Sequence, residues 1–216
     1  MNGGPGKPSK LIVARWRRAA RKGEQYILKA EFPAHIEGRV RRRFPQLDDG
    51  GWELVERGLR EWFICSAWRG QTLLGMPSRA VDEAWHEFIL DSIAYTRFCN
   101  GAFGAYLHHT PDEAMSTPMA DALGNTVRAW DRSAVGADRE SVLWDLDDRL
   151  GISDPFGLNG LQLSAARVDA PLPLGPVVGG CFAAGGCGGG HGGGHGGGCS
   201  GGGGCSGGGG CGGGGS

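Results

Sequence analysis

Through the middle of the chain apolar residues recur at helical spacing, and nowhere do they alternate as a convincing strand would. From Trp52 onward, Leu54, Val55, Leu59, Trp62, Phe63, Cys65 and Ala67 fall on one stripe until Gly70 ends the run. That is the three-to-four-residue period of a helix that buries one face, and Asp48-Asp49 stands ahead of it as a cap. After the loop LLGMPSR, Ser78 opens a second run in which Val81, Ala84, Trp85, Phe88, Ile89, Ser92, Tyr95 and Cys99 share a stripe. This spacing predicts a helix to about Phe98, with Asn100-Gly101 as its stop. Shorter helices are expected over 34–43, closed by Phe44-Pro45, and over 118–131 and 139–150, the last capped by Asp138 and ended by Gly151. The pattern predicts an all-α fold, a compact bundle of about five helices.

The flanks read differently. Residues 1–31 form a basic, partly disordered segment in which 10–31 is at best weakly helical. Residues 32–160 are the helical domain, and 161–178, with PLPLGP, form a linker. Residues 179–216 hold 25 of the 43 glycines and a single aromatic side chain, Phe182. A backbone so rich in glycine cannot offset its ordering entropy, so a disordered Gly/Cys/His-rich tail is expected unless something binds it.

The formal net charge of −1 conceals an asymmetry. Residues 1–46 carry twelve Lys/Arg against three Glu, whereas 47–180 carry ten against twenty. The basic arm can rest on the domain's own acidic surface or meet a nucleic acid or an anionic lipid surface. The early apolar run LIVA, Leu11 to Ala14, is too short for a signal-peptide core, and no segment has the length of a membrane span. A cytoplasmic location is therefore expected, with thiols reduced.

The candidate chemistry is concentrated between Val81 and His109, which hold Asp82, Glu83, Trp85, His86, Cys99, His108 and His109. Asp82 and His86 are four residues apart, so they share a helix face. A carboxylate so placed either orients an imidazole or joins it on one metal ion. His108 and His109 follow Gly101 and Gly104, after a bend that can fold them back. A His86/His108 pair with Asp82 or Glu83 suits Zn, Fe or Mn. Cys99 faces away from His86 and reads as a core residue. The plainer alternative has His86 bonded to Asp82 and packed on Trp85, with His109 supporting the turn at Thr110-Pro111. The tail offers further ligands in Cys181, Cys187, His191, His195, Cys199, Cys205 and Cys211. Its thiolates and imidazoles suit Zn²⁺ or Cu⁺.

The segment GMPSRAVDEAWHEFILDSIAYTRFCNGAFGAYLHHTP and the downstream VLWDLDDRLGI resemble the bacterial members of the glycine-rich domain-containing protein-like family, over roughly Pro33 to Ile152. Plant relatives carry a similar D-x-x-W-H segment, here Asp82, Trp85 and His86. A Gly/Cys-rich C-terminal tail also fits that family; the resemblance implies no catalytic residue. The expectation is a metal-binding protein that holds or transfers Zn or Cu through the Asp/His site and the Cys/His tail. One rival is a metal-dependent enzyme using Asp82, His86 and His108. Another is an interaction protein whose cysteine tail is a platform for a protein partner, modification or cross-linking.

Overall fold

The computed structural model describes residues 9–110 and 117–168, and the backbone of 180–184. Helix α1 (Lys10–Lys29) opens with the Ser9 side chain accepting from the Ile12 amide at 3.4 Å. Most of its residues are strong helix formers. Only Ala20, Gly23, Glu24 and Ile27 are buried, so its inner stripe holds two small residues, one carboxylate and a single large aliphatic side chain, which explains why no apolar period marked it. Gly23 is required by a close crossing, because a Cβ there would run into the backbone carbonyl of Ala102. Gly23→Ala should therefore destabilise by about 1–3 kcal/mol, read as a lower urea midpoint with unchanged slope.

Helix α2 (His35–Arg43) follows, and α3 (Asp49–Trp68) is the central helix, packed against α1 and two helices introduced below. Val55, Leu59, Trp62, Phe63, Ile64 and Cys65 are fully buried along it. Phe63 meets Phe98 at a ring separation of 4.5 Å, and Trp62 meets Trp85 at 5.3 Å.

The run predicted as one helix from Ser78 to Phe98 is two helices. Helix α4 (Arg79–Leu90) ends where Asp91 adopts φ −82°, ψ 71°, outside the helical region. The same Asp91 caps α5 (Ser92–Phe103) by accepting from the Ala94 amide at 3.2 Å. Gly104, at φ 70°, closes α5 in the left-handed conformation that glycine adopts without strain. Helix α6 (Met119–Arg132) lies close to its expected bounds. The helix expected over 139–150 is instead a 3-10 turn at Val142–Trp144 followed by the single-turn α7 (Leu146–Arg149). Beyond it α8 (Gly160–Arg167) is held by a capping box of Asn159 and Gln162. The fold is all-α, with eight α-helices among the described residues.

Three short strands form one antiparallel sheet. β1 (Leu74–Met76) and β2 (His108–Thr110) flank β3 (Gly180–Ala184), in the order β1-β3-β2. Three-residue strands are too short to show alternation in sequence, and β3 lies inside the segment read as tail. The remaining tail residues lie outside the described residues.

Three buried carboxylates tie the helices together. Glu24 accepts from Trp68 Nε1 at 2.8 Å and the Val135 amide at 2.9 Å. Glu61 accepts from Arg57, Ser141 and the Val142 amide. Asp147 accepts from Ser78 Oγ at 2.7 Å and from the amides of Arg79 and Phe156 at 2.6 and 3.0 Å. A buried anion is tolerated when it is hydrogen-bonded on this scale.

Candidate metal centre

The N-terminus of α4 is fixed by Ser78, whose hydroxyl accepts from the Val81 amide at 3.3 Å, and by Asp147 beneath it. One turn in, Asp82 and His86 share a face as their spacing predicted. His86 Nδ1 lies 2.7 Å from the Asp82 carbonyl oxygen and 3.6 Å from the Asp82 carboxylate Oδ2. A ring nitrogen that close to a carbonyl must carry the proton and donate it. The opposite nitrogen, Nε2, is then the one with a lone pair for a ligand bond.

The third member is His109 and not His108, which corrects the expected His86/His108 pairing. Successive residues of a strand point to opposite faces, so β2 can present only one of the two rings to α4. The His109 ring lies 4.4 Å from that of His86 and 5.1 Å from Trp85. His108 is exposed and lies 4.9 Å from the Tyr106 ring. One ligand atom each from Asp82, His86 and His109 lie within 4.8 Å of one another. Glu83, the other carboxylate considered, is not in this set.

Tyr95 places β2 against α4. Its hydroxyl donates to the Leu107 carbonyl at 2.8 Å and accepts from Trp85 Nε1 at 3.0 Å. Burial pushes the phenol pKa up, with the nearby Cys99 adding to the effect, so the group remains a donor. Trp85 and Tyr95, which the periodicity marks only as core residues, thus fix the ring beside His109 and the residue before β2. Tyr95→Phe would leave the Trp85 N–H and the Leu107 carbonyl buried without this partner. A loss of about 1–3 kcal/mol is expected by urea denaturation.

Burial, with His86 adding to it, holds the His109 imidazole well below its ordinary value, at about 4. Its Nε2 is buried and has no hydrogen-bond partner. The ring is therefore neutral at neutral pH, as a ligand must be. The site opens on one side, since the His86 side chain is 41% exposed while that of Asp82 is 15% exposed. Ligand atoms sharing a zinc ion at bonds of about 2.0–2.1 Å stand about 3.4 Å apart, so closing round an ion requires a modest swing. The His86 ring faces solvent on one side, which leaves room for that swing.

The other candidates separate from this cluster. Cys99 is buried, as expected, and so is Cys65; burial raises both thiols, which makes them poor ligands or nucleophiles. Cys181 stands in β3, two residues before Ala183, the backbone partner of His109. Cys187, His191, His195, Cys199, Cys205 and Cys211 lie outside the described residues.

A family model described as UCP032817-like matches residues 22–164, well over half of the chain. No curated protein and no solved structure matches the chain at a significant level.

Proposed function

The chain belongs to the UCP032817-like family, a description that specifies no chemistry, and from that premise we propose that it binds a transition-metal ion, zinc before copper, at Asp82, His86 and His109. The observation that carries this reading is the buried, unpartnered His109 Nε2 beside a His86 ring whose Nδ1 is already committed to the Asp82 carbonyl. A buried imidazole nitrogen without a hydrogen bond costs free energy. A metal ion satisfies it, and two imidazoles with one carboxylate are ligands suited to zinc. The ligand-rich tail extends the same function, holding or exchanging ions through Cys181 to Cys211.

The test is the zinc and copper content of the full chain purified under reducing conditions. It should be compared with a His86→Ala/His109→Ala variant and with a variant whose five tail cysteines are serine. Stoichiometric metal that falls in both variants supports the two-part reading. Loss only in the tail variant assigns the metal to the tail alone, and no stoichiometric metal in the native chain removes the proposal.

One observation favours a second reading. Three protein ligands on a site open to solvent leave a coordination position for water, the arrangement of catalytic rather than structural zinc. Zinc-dependent hydrolysis of activated esters or phosphodiesters, lost on His109→Ala, would mark the protein as an enzyme. Tight zinc without turnover would mark it as a carrier.

A further inference from the structure

Helix α1 carries Lys10, Arg15, Arg17, Arg18, Arg21, Lys22 and Lys29 against one acidic residue, the buried Glu24. Its inner side faces α3 and α5, with Trp16 edge-on to Trp68 at 5.7 Å. At about 100° per residue, Arg15, Arg18, Lys22 and Lys29 stand on the opposite side, and all four are exposed. Two resting places are open to such charge: the domain's own acidic surface, or an anion outside the molecule. Among the described residues the first is not used. Arg39, Arg57, Arg79, Arg139, Arg149 and Arg167 each pair with a carboxylate. Among the described residues no cation of α1 forms an ion pair.

The leading end of the same helix exposes Leu11 at 83% and Ile12 at 62%. This end lies ahead of residue 22, where the family match begins. We infer that the outer face of α1 binds the surface of an anionic lipid bilayer, with Leu11, which lies on that face, entering the headgroup boundary and Ile12 at its flank. Aliphatic side chains beside cations gain from that boundary and gain nothing from a phosphodiester backbone. The two aromatic residues of α1, Trp16 and Tyr26, already contact the rings of Trp68 and Phe98, which makes them poor platforms for stacking bases. No helix among the described residues is long and apolar enough to cross a membrane, so the contact is peripheral.

The experiment is cosedimentation of the full chain, with chelator present, with vesicles of phosphatidylcholine alone or mixed with phosphatidylglycerol. Binding only to the mixed vesicles, weakening as salt screens the charges, is expected. Each cation at such a surface contributes about fivefold in binding. Arg15→Glu/Arg18→Glu/Lys22→Glu should therefore lose about a hundredfold or more, while Arg15→Lys/Arg18→Lys retains binding. Leu11→Ser/Ile12→Ser should weaken binding yet keep its salt dependence. These positions are exposed, so far-ultraviolet circular dichroism should not change. Equal partition onto both vesicle types, or no binding to either, overturns the inference. So does charge-reversal-sensitive binding to duplex DNA by a chain that ignores vesicles.

Discussion

Replacing His109 with alanine is expected to lower the zinc affinity of the Asp82–His86–His109 centre about a hundredfold or more while leaving the helices in place. Removing groups that only orient a ligand costs roughly 10–100-fold, and in the proposed site His109 would be a ligand itself. Competition against a chromophoric chelator, on a chain with serine at the tail cysteines and alanine at His191 and His195, reads the centre alone. Unchanged affinity would exclude His109 from the site. A pH experiment on the metal-free protein tests the same ring independently. Unfolded, the imidazole titrates near 6.5; folded, burial holds it at about 4. Between those values the unfolded chain binds the extra proton, so this group makes stability rise with pH. Its contribution is fully present above about 6.5, is lost as pH falls toward 4, and changes no further below that. The urea midpoint of His109→Gln should therefore fall less steeply than that of the native chain across this window. Parallel profiles would mean that the ring is solvated in the folded state.

The helical class was legible because α3, α4 and α6 each bury a broad apolar stripe, and burial of one helix face is what sequence periodicity records. Boundaries were legible where a capping side chain stood alone, as at Asp48 and Ser78. They failed where a polar residue interrupts a continuing stripe. Asp91 ends α4 and starts α5, yet Val81 to Cys99 keeps its period across the break because both helices pack on the same core. Helix α1 was obscured for the opposite reason, since three of its four buried residues are Ala20, Gly23 and Glu24, which leaves Ile27 as the one large apolar side chain fully buried along it. The strands depend on partners far apart in the chain, Leu74 with Ala183 and His109 with Ala183, and no local pattern encodes such pairing. Within the centre, Asp82 and His86 followed from helical spacing. The choice between His108 and His109 needed the strand's facing, which the Tyr95 bond to Leu107 determines. That bond joins residues twelve apart and leaves no mark in the composition.

Asp147→Ala should give the largest loss of stability of any single substitution considered, about 3–5 kcal/mol, since each buried donor left unsatisfied costs about 1–3 kcal/mol and this carboxylate accepts from several. The carboxylate is fully buried. It accepts from Ser78 Oγ and from the backbone amides of Arg79, Ala80 and Phe156. Two of those amides are at the N-terminus of α4, which has few other partners for them, so the carboxylate serves as a cap contributed from 68 residues downstream. Alanine would leave one buried and two part-buried N–H groups and a buried hydroxyl without it and open a void between α4 and α7. Asparagine is a sharper probe, because it keeps the volume and one acceptor but turns an amide donor toward backbone donors. It should recover part of the loss and no more. Because α4 carries Asp82 and His86, the damage should reach the centre, and both variants should bind zinc more weakly at temperatures where they remain folded. Chemical denaturation followed by tryptophan fluorescence measures the first effect and chelator competition the second. A drop below about 1 kcal/mol for Asp147→Ala would mean that water replaces the carboxylate at the start of α4, and that this helix is held by its apolar stripe alone.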